Sequence, residues 1–176
     1  MIKIGIDVGS TTAKLVAVDE NDNLLFSKYE RHNAKAKETI LSFLKELLSE
    51  IGDKDISVRI TGSIGMGISE KCSLPFVQEV VAAAKAIQKD YSHVTSMIDI
   101  GGEDAKVVFF KDAEATDLRM NGNCAGGTGA FIDQMAIILG VNIDELNQLA
   151  MNATQVYPIA SRCGVFCKTD IQNLIA

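Results

Sequence analysis

The N-terminal stretch 2–19 alternates apolar residues with small or polar ones on both sides of a glycine turn. A period of two predicts strands, so this stretch predicts a β-hairpin whose turn is Gly9 to Thr11. A glycine turn exposes backbone N–H groups, and Ser10, Thr11 and Thr12 add hydroxyls, which together suit a phosphate. Asp7, at the end of the first strand, is placed to hold a metal ion or a water there. An ordinary tight hairpin with a solvated Asp7 is the alternative.

Further along the chain, strand patterns and helix patterns alternate, which predicts an α/β protein. Strands are predicted at 24–31 and 56–61, helices at 34–51 and 77–89, and a glycine-rich loop at 62–67. The second half predicts strands around 98–100 and 105–110, then a glycine-rich loop. Helices follow at 128–139, from the cap pair Asn142 and Glu145, and near Lys168.

About ninety residues after the first turn, the chain repeats its plan in Asp99, Ile100, Gly101, Gly102 and Glu103. Two apolar strands that each end in Asp-x-Gly and each begin a hairpin indicate a duplicated half-domain. Two such turns facing each other would clamp a polyphosphate from both sides.

These two stretches resemble the phosphate-1 and phosphate-2 motifs of the actin, hexokinase and heat-shock chaperone ATPase superfamily. The helix predicted at 77–89 resembles its connecting helix, in which an acidic or amide residue positions the attacking water; Glu79 is the candidate. The resemblance implies a ribonuclease-H-like (actin-like ATPase) α/β fold with two related half-domains, 1–92 and 93–176. It implies catalytic roles for Asp7, Glu79 and Asp99, and binding of ATP and Mg²⁺ by Gly9, Ser10, Thr11, Thr12, Lys14, Gly101, Gly102 and Glu103.

The superfamily's adenosine-binding motif and second connecting helix do not follow within the sequence. We therefore expect the second half-domain to be incomplete, and the chain to be a fragment or the first module of something longer. Residues 1–176 alone are expected to bind ATP poorly and to be inactive, with the ATPase activity belonging to the full-length protein.

The 176 residues are 47% apolar and 23% charged, which is typical of a soluble globular chain. A net charge of −6 argues against a nucleic-acid partner, which usually requires a basic surface. The sequence has no apolar run of the ~18 residues that span a bilayer and no signal-peptide pattern, so we expect a cytoplasmic protein without membrane contact. His32 and His93 lie outside the motifs and are predicted to be surface residues.

Two further segments each place a cysteine in a loop of small residues just before a predicted helix. They read NGNCAGGTGAF, around Cys124, and SRCGVFCKTD, around Cys163 and Cys167. A thiolate there is stabilised by a helix N-terminus and by cations such as Arg162 and Lys168. Small core cysteines are the alternative, because no compact metal-ligand spacing occurs.

Taken together, GIDVGSTTAK, IDIGGEDAK, CAGGTGAF and SRCGVF resemble the BadF/BadG/BcrA/BcrD ATPase family, the activators of 2-hydroxyacyl-CoA dehydratases and benzoyl-CoA reductases. The resemblance runs the whole length of the chain. It implies a homodimer in which two cysteines from each protomer hold one 4Fe–4S cluster, and these align with Cys124 and Cys163. It also implies that ATP hydrolysis drives an electron to a dehydratase or reductase that acts on an acyl-CoA.

Three positions depart from the family pattern. Glu103 stands where members often carry Gln, and its carboxylate would either bind magnesium or weaken nucleotide binding. Ala83 stands where a His is common. Cys167 is an additional cysteine, one helical turn from Cys163, and is the alternative cluster ligand.

Two other functions remain open from the sequence. One is a small-molecule kinase of the same superfamily, which would need a catalytic Asp and a sugar pocket that the sequence does not reveal. The other is a non-catalytic ATP-binding module of a larger chain, whose cysteines hold zinc.

Overall fold

The computed structural model of the protein describes residues 1–112, 114–121 and 124–176. The chain forms two compact units, Met1–His93 and Val94–Ala176, each built on one β-sheet. Within the described ranges, none of the helices has both the length and the apolar character needed to cross a membrane.

The first unit is a four-stranded sheet with three helices. In chain order its elements are β1 (Ile2–Val8), β2 (Thr12–Val18), β3 (Leu24–Arg31), α1 (Ala36–Ile51), β4 (Ile56–Thr61), α2 (Gly65–Cys72) and α3 (Glu79–Asp90). The strand order is β3-β2-β1-β4, with β1 antiparallel to β2 and parallel to β4. A parallel pair needs a long crossover, and α1 supplies it. The predicted hairpin and the strands at 24–31 and 56–61 are confirmed.

The core of this unit follows from the alternation in β1. Ile2, Ile4, Ile6 and Val8 are buried, and they pack with apolar residues of α1, namely Ile40, Phe43, Leu47 and Ile51. Each buried aliphatic side chain stabilises the fold by roughly 1.5–3 kcal/mol. A slip of one residue would bury Asp7 instead, so the core fixes the face on which Asp7 lies.

Two helix boundaries differ from the prediction. The first helix begins at Ala36 and not at 34, because Asn33 and Ala34 take left-handed φ angles of 47° and 63°. The predicted loop at 62–67 is wrong from Gly65 onward, where α2 begins. Gly65 is buried against Ile60, so tertiary packing outweighs the poor helix propensity of glycine.

In its described residues, the second unit is a three-stranded antiparallel sheet with three helices. Its elements are β5 (Ser96–Ile100), β6 (Ala105–Lys111), β7 (Glu114–Asn121), α4 (Gly129–Leu139), α5 (Ile143–Met151) and α6 (Gly164–Ile175), in the strand order β5-β6-β7. Thr128 caps α4, and Gly140 closes it with a left-handed φ of 71°. Asn142 and Glu145 form the predicted capping box of α5.

The prediction is wrong at two places in this unit. Strand β7 occupies part of the stretch predicted as a loop, and its residues from Glu114 to Met120 are exposed. A strand without a buried face shows no hydrophobic alternation, so the sequence gives no signal for it. Helix α6 begins at Gly164, four residues before the predicted start near Lys168.

Gly62, which follows β4, lies at a position where the backbone dihedral and a close contact both exclude a side chain. Its φ is +95°, and a Cβ placed there would lie 2.3 Å from the carbonyl oxygen of Val8. Gly62→Ala is expected to lower the free energy of unfolding by more than about 2 kcal/mol, because both the dihedral and the contact oppose a side chain. The measurement is urea denaturation followed by circular dichroism.

Gly67, within α2, is the matched control, since a Cβ there meets nothing within 4 Å. Gly67→Ala is expected to raise stability by up to about 1 kcal/mol through helix propensity. Equal stability of the two variants would contradict this account of Gly62.

Candidate functional site

The turn between β1 and β2 is closed by a hydrogen bond from the Gly9 N–H to the Thr12 carbonyl oxygen, at 3.0 Å. Asp7 and Lys14 are register partners across the hairpin, and the Lys14 Nζ donates to the Asp7 Oδ2 at 2.9 Å. Both side chains lie on the sheet face opposite the isoleucine core. The structure therefore brings a carboxylate, an ammonium group and a glycine turn together at one hairpin end.

The turn between β5 and β6 has the same construction. The Gly101 N–H donates to the Asp104 carbonyl oxygen at 2.9 Å, and Asp99 is the register partner of Lys106. Gly102 and Glu103 form the apex, where Glu103 is exposed. Sequence analysis missed Lys106, although it follows Asp99 at the same spacing as Lys14 follows Asp7. That repeated spacing is the signal that would have found it.

The two turns differ in how the lysine is held. Lys106 is only 6% exposed, and its Nζ lies 2.8 Å from Asp104 Oδ1 but 3.9 Å from Asp99 Oδ2. A buried ammonium group must be paired, and Asp104 takes the short bond. The carboxylate of Asp99 is 41% exposed, compared with 29% for Asp7. Asp99 thus keeps more of its oxygen surface for a ligand.

The prediction that His32 is a surface residue is wrong. Its side chain is 4% exposed, its Nε2 lies 3.0 Å from the Gly9 carbonyl oxygen, and its backbone N–H donates to the Thr11 carbonyl oxygen at 3.2 Å. Nothing in the local sequence indicates this burial, because the contact joins the end of β3 to a turn more than twenty residues earlier. His93 is exposed, as predicted.

The cysteine loops of the second unit pack against each other through two glycines. A Cβ on Gly126 would lie 3.1 Å from the backbone N of Gly164 and 3.3 Å from the Cys124 Sγ. The Asn121 side chain donates to the carbonyl oxygens of Cys124 and Gly126, which fixes the first loop. The structure thus brings the loop of Cys124 against the residue that follows Cys163.

The thiols differ in access. Cys124 is exposed, and its Sγ accepts a hydrogen bond from the Gly126 N–H at 3.4 Å. Cys163 is half-buried at the N-cap of α6, while Cys167 is buried one turn further into that helix. Gly122 and Asn123 of the predicted motif lie outside the described residues.

The remaining predicted residues lie as follows. Glu79 is the first residue of α3 and is half-buried, and Ala83 lies one turn later. Among the residues that the structure describes, no three His, Cys, Asp or Glu side chains converge on a point that could hold a metal ion.

Comparison with known proteins matches nearly the whole chain to one family. The sequence pattern of the BadF/BadG/BcrA/BcrD ATPase family matches residues 4–176. The (R)-2-hydroxyglutaryl-CoA dehydratase activating ATPase of Acidaminococcus fermentans is 28% identical over 170 residues, which cover 96% of this chain and 65% of that protein. The chain thus spans about two thirds of the length of this relative.

Two solved structures share the fold. Component A of the Acidaminococcus fermentans (R)-2-hydroxyglutaryl-CoA dehydratase superposes with a TM-score of 0.87 and 28% identity, covering 99% of this chain and 68% of that one. The activator of the 2-hydroxyisocaproyl-CoA dehydratase from Clostridium difficile, with bound ADPNP, superposes with a TM-score of 0.86 and 29% identity. This match covers 99% of this chain and 66% of that one. The predicted α/β fold of the actin-like ATPases is confirmed.

The two hairpin lysines allow a paired test of burial. Lys106→Met is expected to lower the free energy of unfolding by more than about 2 kcal/mol, because Asp104 and Asp99 lose their buried counter-ion. Lys14→Met removes the more exposed ion pair with Asp7 and is expected to lower the free energy of unfolding by less than about 1 kcal/mol. Denaturant titrations of both variants check this, and similar losses in the two would contradict it.

Proposed function

The chain belongs to the BadF/BadG/BcrA/BcrD ATPase family, and we propose that it hydrolyses ATP to activate an acyl-CoA dehydratase or reductase by electron transfer. The observation that carries the ATPase role is the duplicated hairpin, with its glycine turn and Asp–Lys register pair at both places. Relatives named as dehydratase activators, one of them with bound ADPNP, support the same role.

In this proposal both turns bind the phosphates of ATP. Gly9, Gly101 and Gly102 present backbone without side chains, so amide N–H groups can reach phosphate oxygens directly. Ser10, Thr11 and Thr12 add hydroxyl donors, and Lys14 adds a positive charge near the phosphates. Phosphoryl transfer depends mainly on positioning and charge stabilisation, which these groups provide.

The carboxylates of Asp7 and Asp99 fit a magnesium ion. Both are part-exposed at strand ends, and Mg²⁺ is usually held by one or two carboxylates together with substrate phosphates. When bound, the ion would supply Lewis-acid stabilisation of the phosphate charge. Glu79, at the start of α3, would orient the attacking water. Glu103 would add a further carboxylate at the second turn, which either assists the metal or weakens nucleotide binding by repulsion.

Charge-neutral variants test the hairpin carboxylates. Asp7→Asn and Asp99→Asn are each expected to reduce ATP hydrolysis at least about 100-fold, because several kcal/mol of charge stabilisation are lost while the shape is kept. Phosphate release is the measurement. Asp53→Asn, an exposed loop residue, is the control and should retain full turnover. Normal turnover in either hairpin variant would overturn the assignment.

The cysteine loops fit half of an iron–sulfur site. Cys124 is exposed and Cys163 is half-buried, and the Gly126–Gly164 contact brings their loops together. A 4Fe–4S cluster takes four thiolates, so a second copy of the chain, related by a two-fold axis, would complete the set. When bound, the cluster would supply the one-electron chemistry.

This chain's contribution is to hold and stabilise the thiolates. The Gly126 N–H already donates to Cys124 Sγ, and the N-terminus of α6 favours negative charge at Cys163. Homodimerisation through the shared site follows from the ligand count. ATP hydrolysis would then change the access of the partner enzyme to this site.

Cysteine variants test this part, with anaerobic purification and visible absorption as the measurement. Cys124→Ser and Cys163→Ser are each expected to lose the brown colour and weaken the dimer, because one thiolate is removed from each protomer. Cys167→Ser is the matched control and should keep both, since Cys167 is buried behind Cys163.

The result that would contradict the assignment is a full cluster in a monomer, or its loss in Cys167→Ser alone. A colourless protein that contains zinc would instead favour the non-catalytic module, because Zn²⁺ is d¹⁰.

A further inference from the structure

His32 is a buried side chain that the proposed hydrolysis does not use. It follows β3, and its side chain is 4% exposed. The residue makes two contacts with the β1–β2 turn: the Nε2 lies 3.0 Å from the Gly9 carbonyl oxygen, and the backbone N–H donates to the Thr11 carbonyl oxygen at 3.2 Å.

The contact with Gly9 identifies one ring nitrogen that carries a proton. A carbonyl oxygen only accepts hydrogen bonds, so Nε2 must carry the proton. The Nδ1 atom is buried and has no hydrogen-bond partner among the described residues. A buried polar atom without a partner costs free energy and calls for an explanation. Keeping a histidine here is therefore not explained by stability alone.

The two contacts also orient the turn. Since His32 is buried, the carbonyl oxygens of Gly9 and Thr11 that bind it point into the protein. In a planar trans peptide the C=O and N–H point in opposite directions. The amide N–H groups of Ser10 and Thr12 belong to these same two peptides, so they point away from His32 and toward the outer side of the turn.

The neighbouring carbonyl oxygens are also occupied. The Val8 carbonyl accepts from the Ile64 N–H, and the Thr12 carbonyl accepts from the Gly9 N–H, both at 3.0 Å. A phosphate would be repelled by carbonyl oxygens and bound by amide N–H groups. With these four carbonyl oxygens bound by donors of the protein, the turn is prepared to receive an anion.

We propose that His32 is a positioning residue that holds the β1–β2 turn with its amide donors facing the phosphates of ATP. The proposal rests on the ATP-binding function above and adds a residue to it. His32 acts through the Gly9 and Thr11 peptides and does not itself contact the nucleotide.

Three variants separate positioning from mere support of the fold. In His32→Gln the side-chain amide nitrogen sits the same number of bonds from the backbone as Nε2, so the donor to Gly9 is kept. In His32→Met the bulk is similar but the donor is lost. His93→Met is the control, because His93 is exposed and outside both turns.

The readout is binding of ADPNP and of inorganic tripolyphosphate by calorimetry, with the folded fraction of each variant measured beside it. His32→Met is expected to raise the Kd for both probes by about 10-fold or more, since the Gly9 carbonyl loses its side-chain donor and the Ser10 amide loses the contact that orients it. His32→Gln should stay within about 3-fold of the wild type, and His93→Met should match it.

Two outcomes are kept apart by this design. If the full-length wild type binds neither probe, the proposed ATP function fails. If the wild type binds and His32→Met binds as tightly once corrected for its folded fraction, or if Gln and Met lose binding equally, the positioning role is wrong while the ATP function stands.

The ring itself gives a signature that needs no nucleotide. ¹⁵N NMR of the protein is expected to show a proton on the Nε2 of His32, the atom that faces the Gly9 carbonyl oxygen. A ring with the proton on Nδ1 would overturn the proposed hydrogen bond to Gly9.

Discussion

The structure of both turns depends on an Asp and a Lys that face each other across an antiparallel hairpin. Register decides this pairing, and in the first unit the buried isoleucine face of β1 decides the register. A side chain needed at the surface is thus held in place by residues that never touch a ligand. Burial of the apolar face of β1 stabilises one register by several kcal/mol, and that register determines where the Asp7 carboxylate lies.

The two turns share one backbone hydrogen bond and one Asp–Lys register pair but differ in electrostatics. The first lysine is half-exposed and bonds Asp7 directly, while the second is buried and bonds Asp104. The substitution of an acidic residue for Thr12 at the equivalent position accounts for the change. It leaves Asp99 with a longer ion pair and a more exposed carboxylate than Asp7 has.

Features that depend on local pattern could be predicted, and features that depend on distant contacts could not. Short stretches of consecutive residues determine the hairpins, the capping box at Asn142 and the family motifs. Strand β7 has no buried face, α2 owes its start to packing at Gly65, and His32 is buried by a turn far away in sequence. The missed Lys106 is different, since the repeated spacing contained the signal.

The cysteine loops show why glycine matters as much as the thiols in this unit. Gly126 and Gly164 approach so closely that any Cβ at either position would meet the other's backbone at about 3.1–3.3 Å. The close approach brings the Cys124 loop to the N-terminus of α6, where Cys163 lies. A larger residue at either glycine would push the two loops apart by a few tenths of an ångström even though both cysteines remained. The glycines between and beside the cysteines are therefore part of the metal-binding proposal, in the same way that Gly9 and Gly101 are part of the phosphate-binding one.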